Sequence, residues 1–217
     1  MPVAFNTSFA LLSARFDYPD VLRRPTGEVL ERFREGGTAL VLTWWAFALT
    51  AVLFAPLVVL LSAAIADADS TLLSLATTLG ILAATVQFLG LVRWPFLVPY
   101  LAREATGAKP GSARQESIDV VFQSFGRYLR VGVGEHLGYA FTGAWSVLAG
   151  VALTQTDAVP SWVGWPGIAV GACLMLCSLE FVGRYEATGW KPAEKLTPVA
   201  YVLWSVWLAV VGIALIA

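Results

Sequence analysis

All fourteen Lys and Arg residues of this 217-residue chain fall in alternate connections of a five-part apolar pattern. The apolar runs cover 38–65, 72–91, 131–153, 162–182 and 198–216. At 1.5 Å of rise per residue, each is long enough for a hydrocarbon core of roughly 30 Å. Arg15, Arg23, Arg24, Arg32 and Arg34 precede the first run, and no basic residue separates the first from the second. Arg93, Arg103, Lys109, Arg114, Arg127 and Arg130 precede the third, none precede the fourth, and Arg184, Lys191 and Lys195 precede the fifth. Positive charge stays on the cytoplasmic side of a membrane. The parity therefore predicts a cytoplasmic N-terminus and a C-terminus, Ala217, outside.

Composition agrees: 58% hydrophobic residues against 13% charged, with mean hydropathy +0.71, is more apolar surface than a soluble core would bury. The net charge of −1 conceals a segregation, since the bare connections carry only Asp67, Asp69 and Asp157. Nothing in that balance points to nucleic acid. A cleaved signal peptide has an apolar stretch directly after a basic start, whereas the first run here begins near residue 38 after many charges. It reads as an uncleaved anchor.

Residues 1–37 read as a cytoplasmic amphipathic collar lying on the membrane, and 38–217 as the transmembrane bundle. Phe9, Leu12 and Phe16 repeat at helical spacing. After Pro25, Thr26 is placed to cap a second helix whose face is Val29, Leu30 and Phe33, with Glu28 and Arg32 as i,i+4 partners. Gly36 and Gly37 end it. Between the second and third runs, Pro95 and Pro99 make 94–101 either a kinked continuation or an interfacial segment. A turn over 106–112 follows, then an amphipathic helix carrying Ile118, Val121, Phe122, Phe125 and Leu129. Gly134 and Gly138, Gly167 and Gly171, and Gly80 with Ala84 are small-residue faces for close helix packing in lipid, within one chain or between copies or membrane partners. Trp94, Trp162, Trp165 and Trp190 fit an interfacial aromatic belt, and Trp44, Trp45, Trp145, Trp204 and Trp207 fit packing inside spans.

Ionisable residues inside a bilayer are costly and mark candidate sites. Glu135 and His136 fall a turn inside the cytoplasmic end of the third run, Glu180 at the same depth in the fourth, and Arg93 at the inner end of the second. Tyr139, Thr142 and Ser146 continue the Glu135 stripe, and Gln87 lies two turns above Arg93. Together Arg93, Glu135, His136, Tyr139, Glu180 and Gln87 are expected to line a polar, cytoplasm-facing pocket, with Glu135 in ion-pair reach of Arg93. The plainer alternative pairs Glu180 with Arg184 and Glu135 with Arg130 or Arg93, and lets Arg93 snorkel.

Catalytic and cofactor signatures are lacking. Cys173 and Cys177 sit one helical turn apart as packing residues, His136 is the only histidine, and no metal-ligand spacing occurs. The stretch from Gly132 to Leu137 lacks the third glycine and preceding strand of a dinucleotide loop. No catalytic, cofactor or metal residue is assigned, and an enzyme is the least favoured of three readings. A ligand- or partner-binding membrane component comes first, and a small-molecule or proton-linked transporter second.

The motif Phe16-Asp17-Tyr18-Pro19-Asp20-Val21-Leu22-Arg23, with 38–45 and 164–171, resembles bacterial membrane proteins grouped as domain of unknown function 4386. The resemblance implies a small multi-pass bacterial membrane protein, placed in the inner membrane, without an assigned activity. Such proteins are often drawn with about six spans. The hydropathy of this chain predicts an all-α bundle of five, with the region of Pro95 and the Ile118 helix as the places where a further span would arise.

Overall fold

A computed structural model describes residues 1–109 and 111–217. Gly107 and Gly111 take left-handed conformations (φ 78° and 72°) in the expected turn over 106–112, of which Pro110 lies outside the described residues. The helices are α1 Pro2–Phe16, α2 Thr26–Val52, α3 Phe54–Ala64, α4 Ser70–Ala105, α5 Ala113–Phe125, α6 Gly138–Gln155, α7 Gly164–Cys177 and α8 Lys191–Ala214. A π-helical segment, Gly126–Leu137, joins α5 to α6, and no strand occurs among the described residues.

Four helical stretches are long and apolar enough to cross a membrane: Thr26–Ala64, Ser70–Ala105, Ala113–Gln155 and Lys191–Ala214. The helix of the fourth apolar run, 162–182, is shorter. It begins in Ser161–Cys177 and its regular helix α7 has 14 residues, about 21 Å against a hydrocarbon core of about 30 Å. Leu179, Phe181 and Val182 continue the hydropathy of that run after the regular helix has ended. Past Cys177 the backbone tightens into i→i+3 bonds, with Leu179 N–H on the Leu176 carbonyl and Glu180 N–H on the Cys177 carbonyl. Gly183 and Gly189 then turn left-handed (φ 63° and 73°), and Trp190 N–H closes the turn on the Glu180 carbonyl at 2.7 Å.

Packing partners follow a closed circuit, α1 on α2, α2 on α4, α4 on α6, α6 on α7, α7 on α8 and α8 on α1. Glycines set the closest approaches. A Cβ at Gly90 would stand 2.6 Å from Gly134 Cα, and one at Gly171 would stand 2.6 Å from the Gly143 carbonyl oxygen. Only glycine lets α4 meet the π segment, and α6 meet α7, at those distances. Gly167 faces the Trp207 ring, Gly138 faces Gln87, and Gly80 faces Val58 and Trp145. The small-residue faces legible in the sequence are thus used inside the chain.

The collar packs against the bundle. Val29, Leu30 and Phe33 bury their expected face, joined by Leu12, Phe16, Trp44 and Trp94 in one core. α1, however, runs back along the bundle: Phe9 meets Phe47, and Phe5 meets both Phe47 (5.2 Å) and Tyr201 (5.9 Å). Tyr201 is ten residues into α8, about 15 Å along its axis. Met1 reaches the second core, around Phe54 and Trp204. Gly37 (φ 55°, ψ −153°) breaks the helix where collar becomes span. Thr26 is not the cap; Pro25 holds that position, and the Thr26 hydroxyl accepts instead from Gln123 Nε2 at 3.0 Å. Pro95 and Pro99 lie within a continuous α4, and Trp94 is buried rather than at an interface, whereas Trp162 and Trp165 are exposed. Trp45, expected to pack inside its span, is exposed as well.

Candidate functional site

The π segment carries the centre of the polar layer. Its 12 residues include Gly126, Gly132 and Gly134, and its i→i+5 bonding is a winding that proteins mostly use as single turns near functional sites. The winding has a direct effect on side chains. On an α-helix, neighbours are three and four apart. A π-helix brings residues five apart nearly above one another. Arg130 and Glu135 are five apart, and Arg130 Nη1 donates to Glu135 Oε1 at 3.0 Å with both side chains mostly covered. Glu135 Oε2 is enclosed and has no hydrogen-bond partner.

Beside that pair, a cavity of about 190 Å³ opens between the π segment and the turn after α7. Glu135, His136 and Tyr139 line one side, and Cys177, Glu180 and Phe181 the other. Ser178 contributes its carbonyl: His136 Nδ1 lies 2.8 Å from it, and since a carbonyl only accepts, that nitrogen carries a proton. The imidazole thereby satisfies a carbonyl that the end of α7 leaves without a helical donor. Glu180 belongs to the turn rather than to a helix, and its expected pairing with Arg184 is not formed. Arg184 donates to the Tyr185 hydroxyl at 2.6 Å instead.

Four of the six sequence-derived residues, Glu135, His136, Tyr139 and Glu180, thus meet at one cavity, and Gln87 and Arg93 do not line it. Gln87 Nε2 donates to Thr142 Oγ1 at 2.6 Å. Thr142 and Ser146 turn inward, where the Ser146 hydroxyl donates to the Thr142 carbonyl and accepts from Trp204 Nε1 at 2.9 Å. The expected stripe from Glu135 to Ser146 is split because its first part lies in π winding and its second in α winding.

Arg93 departs furthest from expectation. It neither pairs with Glu135 nor snorkels: it is 5% exposed, with its Cζ 4.7 Å from the centre of the Trp94 ring. Its Nε is enclosed without a partner, and it makes no ion pair among the described residues. Cys173 and Cys177 are free thiols, and among the described residues no three His, Cys, Asp or Glu side chains are grouped as metal ligands would be.

On the far side, Asp67 accepts from the Thr156 hydroxyl at 2.6 Å and from Asp157 N–H at 2.9 Å, clasping the two bare connections together. Sequence reasoning noted both acids and missed the clasp, because its only signal is a Thr beside Asp157.

This architecture is that of an all-α helical bundle with several helices fit to cross a membrane. The chain belongs to the family described as domain of unknown function 4386, which matches it over residues 1–212. No curated protein and no solved structure matches the chain.

Proposed function

We propose that this is a non-enzymatic, multi-pass protein of the bacterial inner membrane, with its N-terminus cytoplasmic and its C-terminus outside, that binds a small organic cation in the cavity beside Glu135. The observation that carries the reading is the lining. Glu180 and Glu135, the latter also paired with Arg130, face one cavity, the proton on His136 Nδ1 is committed to the Ser178 carbonyl, and Tyr139 supplies ring surface. Carboxylates with aromatic faces are the chemistry that recognises ammonium groups. At about 190 Å³ the cavity is smaller than the 300–1,000 Å³ typical of sites for drug-sized ligands, so the ligand has few heavy atoms. The basic connections support that orientation, because they alternate with connections that carry no Lys or Arg.

The test uses the purified full chain in neutral detergent, with tetramethylammonium and a neutral analogue of similar size, neopentyl alcohol, as probes. Tetramethylammonium should raise the unfolding midpoint of the native chain and leave Glu135→Gln and Glu180→Gln unmoved, while the alcohol does nothing. Equal response to both probes removes the reading. A proton-linked transporter is the second reading, favoured by the long π segment at the inner end of a span. It requires cation-driven pH change inside sealed vesicles, which simple binding does not produce.

A further inference from the structure

A buried guanidinium without a counter-charge is a costly group to hold at the inner end of a membrane span, and such a residue marks a site whose partner has to be named. Arg93 is that residue. Arg93 makes no ion pair among the described residues, and its Nε has no hydrogen-bond partner. Glu135, the sole acid of the π segment, has its Oε1 already held by Arg130 at 3.0 Å. The Arg93 guanidinium is therefore left without a counter-charge.

The geometry leaves an edge of Arg93 for recognition. Its Cζ sits 4.7 Å over the Trp94 ring, which covers one face of the guanidinium. Trp94 is itself held by Trp44 stacked at 4.3 Å. The in-plane N–H donors remain, and Nε among them is enclosed and unused. That fork of donors matches the two oxygens of a carboxylate or phosphate. Tyr18 packs against Trp44 at 5.1 Å, in the same aromatic pile as Trp94, and Arg93 keeps 5% of its surface exposed.

We propose that Arg93 anchors a site for a singly charged oxyanion, a phosphodiester or carboxylate group. It is separate from the cavity beside Glu135 and does not rest on the organic-cation reading. The same chemistry has two sources, the headgroup of an anionic lipid and a free anion in the cytoplasm.

The experiment uses the delipidated full chain in neutral detergent at constant ionic strength. One arm adds sodium phosphate or acetate against chloride, and the other adds phosphatidylglycerol against phosphatidylcholine. The native chain should gain several degrees in unfolding midpoint in one arm, and that arm identifies the source. Arg93→Lys, which keeps the charge and loses the fork, should fold and show at most half of that gain. Arg93→Gln should show none. Native mass spectrometry should find one phosphatidylglycerol retained by the native chain and lost by Arg93→Lys if the source is lipid. No gain in either arm, or an equal gain in all three chains, overturns the proposal.

Discussion

Trp44 and Trp94 stack with their ring centres 4.3 Å apart and their planes 8° from parallel, joining the first long apolar helix to the second. Phe33 extends the pile on Trp94 at 5.8 Å, and Phe16 meets both indoles edge-on at 6.1 and 5.4 Å. The collar, the two spans and the buried Arg93 thus share one aromatic column. Its strength comes from packing, because lipid removes the hydrophobic difference between a helix and its surroundings.

Replacing Trp44 by Ala empties the middle of that column, and loss of a buried Trp costs about 3–5 kcal/mol where neighbours cannot collapse. Its indole N–H has no partner, so Trp44→Phe removes an unsatisfied donor while retaining ring contact. Unfolding midpoints in detergent should fall steeply for Trp44→Ala and much less for Trp44→Phe. Trp45→Ala, at an exposed neighbour, should change little. Equal losses at Trp44 and Trp45 would refute the column.

The contact of Gly90 with Gly134 makes a sharper steric prediction. The atoms that a Cβ at Gly90 would meet are Gly134 Cα at 2.6 Å and the Leu129 carbonyl oxygen at 3.0 Å, both backbone. No side-chain rotation relieves that clash, so Gly90→Ala should cost about 1–3 kcal/mol. Gly126→Ala, with nothing within 4 Å of the new methyl, should be neutral or mildly stabilising. Thermal unfolding of the two variants checks the contrast.

The clasp at Asp67 gives a pH dependence. The Thr156 hydroxyl, and after it the Asp157 N–H, hold the Asp67 carboxyl below its ordinary range. A carboxylate with a depressed folded pKa contributes stability above its unfolded value, about 3.9, and loses it as pH falls through the folded value. The native chain should therefore lose more stability than Asp67→Asn between pH 7 and pH 3. A parallel decline of the two curves would show that the clasp is not formed.

The sequence made the long helices readable because apolar length and the alternation of basic connections are written residue by residue. Leu12, Phe16, Val29, Leu30 and Phe33 were legible as buried faces for the same reason. The end of α7 was not, since Leu179, Phe181 and Val182 carry apolar side chains on a backbone that has already turned. The π winding from Gly126 to Leu137 was hidden as well: hydropathy has no marker for a hydrogen bond moved from i+4 to i+5. With it went the Glu135 stripe. Arg93 was legible as a costly residue, and the Glu135–Arg130 pair as one of two alternatives, but a buried Arg93 without a partner was not, because burial there depends on how the aromatic pile closes over the end of α4.

The bare connections and the basic ones alternate along the chain, so the proposed topology puts them on opposite sides of the membrane. A cytoplasm-dependent reporter inserted at Lys109 or Lys191 should be active, and one at Asp67 or Asp157 silent. Activity at Asp157 with silence at Lys191 would reverse the assignment of the last three apolar runs.

The collar offers the most direct test of how the chain sits in lipid. α1 has no charge before Arg15, and its exposed side includes Val3, while Phe5 packs near Tyr201. If α1 lay on the membrane surface, Val3 would sit at headgroup level together with Arg15. With α1 running back along α2 and α8, Val3 should instead sit deeper than Arg15, since Phe5 packs on Phe47, nine residues into the first apolar run, and on Tyr201, three residues into the last. A fluorophore on Val3→Cys, in a chain whose two native cysteines are replaced by Ala, should be quenched more by lipids brominated deep in the acyl chain than by those labelled at the headgroup. A fluorophore on Ala14→Cys should show the opposite order. The same order at both sites, with headgroup quenching stronger, would place α1 flat on the membrane and separate Phe5 from Phe47 and Tyr201.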